Sequence, residues 1–209
     1  MGKLFYIIGK SASGKDSVFN ELLSDPAFPA KKIIQYTTRP KRGHETEGVE
    51  YHFITEEAEE KYEAAGRIIE KRTYQTVHGP WSYMMIDDGQ IDLASADYLA
   101  VGTAESFAKV ARYFGKDKVF PIYVDVETGE RLFRALMRER KSNTPKYAEM
   151  CRRFLADEAD FSDEKLKEAG IMTRSGRIRN LVENDDFEKC VEKVRRMILK
   201  EIRKEHDVQ

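Results

Sequence analysis

The sequence predicts an α/β fold in which a mostly parallel central sheet is flanked by helices. Two observations carry this prediction. Short β-like runs alternate with helical patterns through most of the 209 residues. In addition, the first apolar run leads through a glycine-containing loop directly into a helix. The length suits one domain with insertions better than two independent folds.

Each element has its own signal. Runs rich in β-branched and aromatic residues predict strands over 3–8, 32–37, 67–74, 98–103, 118–126 and 177–184. Helical patterns lie between or after them, over 15–24, 56–66, 104–114 and 185–206. Two regions depart from this alternation. Residues 36–90 are rich in Tyr, Thr and Gly and predict a small mixed α/β excursion, whereas residues 127–170 are helical and dense in arginine.

Composition excludes several classes of protein. The 36 basic and 37 acidic side chains nearly cancel, so no general attraction to nucleic acid or to a membrane surface is expected. Cys151 and Cys190 lack paired spacing, which predicts two reduced thiols. No apolar run approaches the ~20 residues of a membrane span. We expect a cytoplasmic protein that is a monomer or a homodimer and has small-molecule substrates.

The stretch GKSASGKDS has the pattern GxxxxGK of a phosphate-binding loop. Such a loop holds phosphate through backbone N–H groups, the helix N-terminus and a lysine, here Lys15. Asp16 stands where a hydroxyl ligand of magnesium is usual, and Ser17 follows as a second candidate ligand. The residues predicted to bind ATP phosphates are Gly9, Lys10, Ser11, Ala12, Ser13, Gly14, Lys15, Asp16 and Ser17.

A second motif, YTTRPKRGHETEGVEYHF, spans Tyr36 to Phe53. Its clustered Arg39 and Arg42 offer planar forks suited to phosphate oxygens. Glu45 could hold these guanidinium groups, and Tyr51 adds a hydroxyl donor. By itself the motif could equally be a solvated charged loop.

Together the two motifs resemble the guanylate kinase family, whose pattern is a phosphate loop followed by TTRxxRxxExxGxxYxF. The resemblance continues in RIIEKR, in the arginine-rich region 131–153 and in VENDD at 182–186. It implies a P-loop kinase that uses ATP and Mg2+ to phosphorylate GMP. It also implies a core of about 1–35, 98–130 and 171–209, a monophosphate-binding region of about 36–90 and a lid of about 131–170.

The resemblance implies a role for individual residues. The acceptor phosphate would be bound by Arg39, Arg42 and Tyr51, with Glu45 supporting the arginines, and Glu70 would accept hydrogen bonds from guanine. Beside these matches, Gln35 could help Glu70 to pair the guanine N–H groups and O6, and His78 is either a neighbour of the base or ribose or simply a turn residue. The transferring phosphoryl group would be contacted by Lys15, Arg138 and one of Arg152 or Arg153. Asn184 would lie near the adenine of ATP, and Asp16 and Ser17 would hold the metal. Arg131 and Arg134 share a helix face with Arg138, and for these two we expect a solvated face.

The sequence departs from the family at several positions. Gln35 replaces a serine that helps to read guanine, and the turn at 77–80 reads VHGP instead of YYGS. Ala100 and Gly102 replace two strand carboxylates. We hypothesise that Asp16 restores a hard oxygen ligand for magnesium, which predicts strict magnesium dependence.

Two other functions stay open. The GKDS loop and the missing strand carboxylates also resemble ribose 1,5-bisphosphate phosphokinase, although the intact second motif and Glu70 speak against a sugar acceptor. A non-catalytic binding module is the other alternative, against which the retained loop argues. The base of the acceptor also stays open among GMP, dGMP, IMP and others.

Overall fold

The computed structural model describes residues 2–43, 45–76 and 79–206. The strands, in chain order, are β1 (Leu4–Ile8), β2 (Ala30–Lys32), β3 (Gln35–Thr37), β4 (Tyr51–Phe53), β5 (Ile68–Thr76), β6 (Gly79–Ile86), β7 (Asp97–Gly102), β8 (Val119–Asp125) and β9 (Leu181–Glu183). The helices are α1 (Lys15–Ser24), α2 (Glu56–Ala64), α3 (Ala104–Phe114), α4 (Thr128–Arg140), α5 (Tyr147–Asp160), α6 (Asp163–Glu168) and α7 (Phe187–His206).

A parallel sheet with the strand order β2-β7-β1-β8-β9 forms the core. Every residue of β1 is buried, as its apolar sequence LFYII requires of a central strand covered on both faces. One face packs against α3 and α6 through residues such as Phe107 and Leu166. The other packs against α1 and α7 through residues such as Val18 and Val194. The predicted α/β fold with a parallel sheet and flanking helices is confirmed.

The central position of β1 determines where a ligand can bind. Ile8, the last residue of β1, pairs with Gly102 of β7 and with Tyr123 of β8. The loop that follows Ile8 therefore leaves the sheet at the carboxyl edge of its middle strands. Ligands of open α/β sheets bind at this edge.

A second, mixed sheet has the strand order β4-β3-β6-β5. The predicted single strand over 32–37 is wrong, because the structure divides it between the two sheets. Residues up to Lys32 pair with β7, whereas β3 pairs with β4 and β6. At the junction, the backbone N–H and C=O of Ile34 bond to the side chain of Gln90 instead of to a strand. The chain thus changes sheets at Ile33 and Ile34.

The arginine-rich region forms the two helices α4 and α5, separated by 141–146. Among the described helices, none is long and apolar enough to cross a membrane.

Candidate functional site

The loop between β1 and α1 is tight at its two glycines, Gly9 and Gly14. Gly14 has a φ of 85°, the left-handed conformation that favours glycine. At Gly9 a Cβ atom would lie 2.5 Å from the carbonyl oxygen of Val124, so a side chain there would displace β8. Asn184 stabilises the loop through a hydrogen bond, because its Nδ2 donates to the Ser13 carbonyl oxygen at 2.8 Å. Asn184 thus lies against the phosphate loop, where its adenine role stays a prediction.

The predicted phosphate and metal residues lie together at the start of α1. The Lys15 Nζ is 3.0 Å from the Asp16 Oδ2. The Asp16 side chain is 71% exposed, and Ser17 is exposed beside it. The carboxylate and the hydroxyl are hard oxygen donors of the kind that Mg2+ accepts together with phosphate oxygens.

Helix α5 contacts the same loop. The backbone N–H of Ser11 donates to the Asp157 Oδ2 at 2.7 Å. The Lys10 Nζ pairs with the Glu158 Oε2 at 2.8 Å, and the Arg153 Nη2 lies 3.4 Å from the Ser11 Oγ. The Asp157 carboxylate of α5 therefore accepts a hydrogen bond from the Ser11 backbone N–H. A phosphate-binding loop donates N–H groups of this kind to its ligand. Neither Asp157 nor Glu158 was identified from the sequence.

The expected solvated face is wrong for Arg131. Arg131 is only 1% exposed; its guanidinium pairs with Asp157 and Glu158 and stacks on the Phe154 ring. These contacts fix α4 to α5, because a buried arginine is stable only when it is paired. Arg134 is partly exposed, and its Nη2 donates to the Asn184 carbonyl at 2.9 Å.

Of the predicted lid arginines, the structure brings Arg138 and Arg153 to the loop. Both line one small cavity together with Ser11. Arg152 instead makes two hydrogen bonds of 2.7 Å to Glu149 and is 61% exposed. The geometry thus favours Arg153 over Arg152 as the partner of Arg138 at the transferring group, and all three roles stay predictions.

In the segment between β3 and β4 of the second sheet, Arg39 and Glu45 form a buried ion pair, in which two guanidinium nitrogens face the two carboxylate oxygens. The Arg39 Nη1 and Nη2 bond to the two Glu45 oxygens at 3.0 and 2.6 Å. The backbone N–H of Arg42 also donates to Glu45, at 2.8 Å. The Arg39 guanidinium carbon lies 5.7 Å from the Tyr51 ring centre, while the Arg42 side chain is exposed. The structure therefore brings all four predicted phosphate-site residues together, with Glu45 in the supporting position.

This pair predicts a specific pH dependence of stability. The hydrogen bonds from Arg39 and from the Arg42 backbone lower the pKa of Glu45 from its ordinary 4.5 to about 2. Because the folded state holds the ionised form, the stabilisation is present above pH 4.5 and is lost as the pH falls towards 2. We expect the Tm of the wild type to exceed that of Glu45→Gln at neutral pH and the difference to shrink over this interval.

The measurement is Tm against pH for both proteins. Glu60→Gln, which alters an exposed carboxylate of α2, is the control. A Tm difference that stays constant down to pH 2 would contradict the assigned pair.

Glu70 lies at the buried face of β5 and is only 2% exposed. The Arg72 Nη2 lies 3.0 Å from the Glu70 Oε1, as an ion pair without hydrogen-bond geometry. The Arg72 Nη2 also donates to the Gln35 Oε1 at 3.2 Å. Burial raises the pKa of Glu70, against the lowering effect of the Arg72 charge. Arg72 was missed in the sequence, although strand alternation puts residues 70 and 72 on one face.

The structure gives a physical reason for Gly102. A Cβ atom there would lie 2.5 Å from the Tyr6 hydroxyl oxygen and 2.6 Å from the Ser106 Oγ. The Tyr6 hydroxyl itself donates to Ser106 at 2.8 Å. Burial, and then the nearby charge of Glu70, raise the pKa of Tyr6. Tyr6 thus fills the volume beside Glu70 that a side chain at 102 would need. His78, the remaining predicted acceptor residue, lies outside the described residues.

Comparison with known proteins finds similar sequences and a similar structure. A family model described as guanylate kinase matches residues 1–80. The guanylate kinase of Koribacter versatilis is 30% identical over 210 residues, which cover 96% of this chain and 79% of the relative. The guanylate kinase of Syntrophotalea carbinolica is 39% identical over 79 residues, only 37% of this chain and 35% of that relative.

A solved structure is similar as well. The crystal structure of guanylate kinase from Anaplasma phagocytophilum superposes with a TM-score of 0.60 at 20% identity, covering 96% of this chain and 86% of that one. This likeness concerns the fold. With the sequence relatives and the loop geometry, it leads to one conclusion: the chain belongs to the guanylate kinase family of P-loop nucleotide kinases.

Proposed function

We propose that this protein transfers the γ-phosphoryl group of ATP to GMP or dGMP, yielding the nucleoside diphosphate. The observation that carries the proposal is Glu70. Within the described residues, neither of its buried carboxylate oxygens accepts a hydrogen bond of good geometry, although the Arg72 Nη2 lies 3.0 Å from Oε1 as an ion pair. An unpartnered buried acceptor is costly unless a ligand supplies donors. Guanine presents two adjacent N–H donors, on N1 and on the exocyclic N2, which suit one carboxylate.

The acceptor phosphate would bind at Arg39, Arg42 and Tyr51. Arg39 is already oriented by Glu45, so little side-chain freedom is lost when a phosphate arrives. A monophosphate has its second pKa near 6. The attacking oxygen is therefore largely ionised at neutral pH, and the reaction needs positioning and charge neutralisation more than a strong base.

The donor phosphates would bind in the loop from Gly9 to Asp16, with Lys15 neutralising their charge. Arg138 and Arg153, which line a cavity with Ser11, would contact the transferring group from the lid. Asp16 and Ser17 would hold Mg2+, whose charge offsets that of the β- and γ-phosphate oxygens. Closure of the lid would exclude water and so protect ATP from hydrolysis.

The Arg39–Glu45 pair lies in the segment that joins β3 to β4, and Glu70 lies on β5 of the same sheet. This arrangement favours a nucleotide over the sugar bisphosphate. A ribose 1,5-bisphosphate acceptor would use the arginines but has no base that could present two adjacent N–H donors to Glu70. The intact loop geometry at Gly9, Gly14 and Lys15 supports nucleotide turnover over a purely structural binding role.

The test is ADP release from MgATP with GMP, dGMP, IMP, AMP, CMP, UMP and ribose 1,5-bisphosphate as acceptors. We expect a strong preference for GMP or dGMP. Turnover of the sugar phosphate alone would assign the protein to the other kinase class. Absence of turnover with every acceptor, together with absence of binding of a fluorescent ATP analogue, would point to a binding module.

Asp16 carries a separate prediction. Replacing Asp16 by Ala removes the carboxylate proposed to hold the metal, so the Mg2+ concentration for half-maximal turnover should rise roughly tenfold or more. Binding of ATP without metal should not weaken, because Asp16 and the phosphates repel each other.

Magnesium titrations of turnover and metal-free ATP titrations measure the two effects. Glu21→Ala, which removes another exposed carboxylate of α1, is the matched control. Equal losses of turnover and of metal-free ATP binding in Asp16→Ala would exclude Asp16 as a metal ligand.

A further inference from the structure

The buried polar atoms without a hydrogen bond are concentrated at Glu70 and Arg72. Among the described residues, five buried side-chain atoms lack a hydrogen bond, and three of them belong to Glu70 and Arg72: Oε1, Oε2 and Nε. The other two, Ser13 Oγ and Asn184 Oδ1, lie at the phosphate loop. Native proteins leave few such atoms, so a cluster of two acceptors and one donor requires an explanation.

The cluster is held rigidly. Arg72 is fixed through Nη2, which lies 3.0 Å from the Glu70 Oε1 and bonds to the Gln35 Oε1 at 3.2 Å. Its Nε, on the same planar group, has no partner. The carboxamide oxygen of Gln35 is thus engaged in orienting Arg72. This leaves Arg72 as the group that presents an unused donor next to the Glu70 carboxylate.

Two acceptors beside one donor form a distinctive pattern. The Watson–Crick edge of guanine carries the complementary set: N1–H and N2–H donate, and O6 accepts. Adenine supplies one donor and one acceptor on that edge and would leave a Glu70 oxygen without a partner. The strand carboxylates at 100 and 102 are absent, and Tyr6 fills the volume at Gly102, so neither position supplies a further polar side chain for the base.

We propose that Arg72 determines base specificity by donating its Nε–H to the O6 atom of the acceptor purine, while Gln35 positions it. The inference rests on the proposed function and extends it, because it assigns the O6 contact to a residue outside the TTRxxRxxExxGxxYxF motif. Glu70 and the Arg72 Nε are shielded from solvent here. The acceptor side must therefore open to admit the base, as is usual for enzymes that close over their substrates.

The experiment combines a change in the enzyme with a change in the substrate. 6-Thio-GMP retains the N1–H and N2–H donors but replaces O6 by sulfur, a weaker acceptor. We expect the wild type to prefer GMP over 6-thio-GMP in kcat/KM by roughly tenfold or more, the value of a hydrogen bond to a charged group. In Arg72→Met, kcat/KM for GMP should fall by that factor or more and the preference should disappear.

Two further variants separate recognition from folding. Arg72→Lys keeps a positive charge near Glu70, so the buried carboxylate is not left unpaired and the variant should fold. Because it lacks the Nε–H, it should lose the preference for GMP over 6-thio-GMP. Lys71→Met removes a cation that pairs with Glu59 and Glu63 instead, and it should retain the preference.

The outcomes are distinguishable. If the wild type turns over GMP but Arg72→Lys, folded by its Tm and circular dichroism, keeps the wild-type preference over 6-thio-GMP, Arg72 does not read O6 and the inference alone falls. The same holds if Arg72→Met and Arg72→Lys lose turnover equally with both substrates. If the wild type turns over no nucleotide, the proposed function falls and takes the inference with it.

Discussion

Lys15→Met is expected to lower kcat for the GMP-dependent reaction by about 100- to 1,000-fold, the usual effect of removing one charged stabiliser of a transition state. The Lys15 ammonium lies 3.0 Å from Asp16 at the first turn of α1, where the donor phosphates are proposed to bind. Since negative charge is redistributed there during transfer, its loss should affect kcat more than ATP affinity. Steady-state kinetics and a fluorescent ATP titration give the two quantities.

Lys116→Met serves as the control, because Lys116 is an exposed lysine remote in sequence from the loop. It should leave both quantities unchanged. Wild-type kcat in a folded Lys15→Met protein would mean that the loop does not hold the transferring phosphoryl group.

Glu70→Gln is expected to lower kcat/KM for GMP by roughly 100-fold or more, because a buried site that bonds specific polar groups discriminates strongly when its partners are mismatched. An amide presents one acceptor and one N–H2 group, which would face the donors of guanine. The preference of the wild type for GMP over IMP, which lacks the exocyclic amine, should shrink in the variant. The ratio of kcat/KM for the two nucleotides measures this directly.

Stability must be followed in the same variant, because Arg72 loses its buried counter-charge and the Tm should fall. Glu63→Gln, at an exposed carboxylate that pairs with Lys71, is the matched control. A Glu70→Gln protein that stays folded and keeps the wild-type GMP-to-IMP ratio would exclude Glu70 from base recognition.

Much of the fold was predictable from local patterns. The apolar run of β1, the glycine loop and the amphipathic helices are local signals, and the structure places β1, α1, α3 and α7 close to their predicted ranges. The break within 32–37 was not predictable, because KIIQYT contains no glycine or proline that would mark the end of a strand. What divides it is the pairing of its two halves with different sheets, a property of the tertiary structure.

The site residues also divide into those with a local sequence signal and those that depend on tertiary contacts. Motif spacing led to Arg39 and Glu45, whose contact is short-range in sequence, and the family resemblance led to Glu70. The burial of Arg131 depends on α5, more than 20 residues further along the chain, and helical spacing alone does not reveal such a partner. Arg72 could have been found, since it lies two positions from Glu70 on a predicted strand.

The contact between Tyr6 and Gly102 has a consequence for how the sequence can change during evolution. A carboxylate gained at position 102 by one substitution would force the Tyr6 hydroxyl and Ser106 to move, because both lie within 2.6 Å of the position of its first side-chain carbon. A smaller residue at position 6 would make room, but by itself it would leave a cavity beside a fully buried strand. We therefore expect the two positions to be epistatic, so that an acidic residue at position 102 is tolerated best together with a smaller residue at position 6.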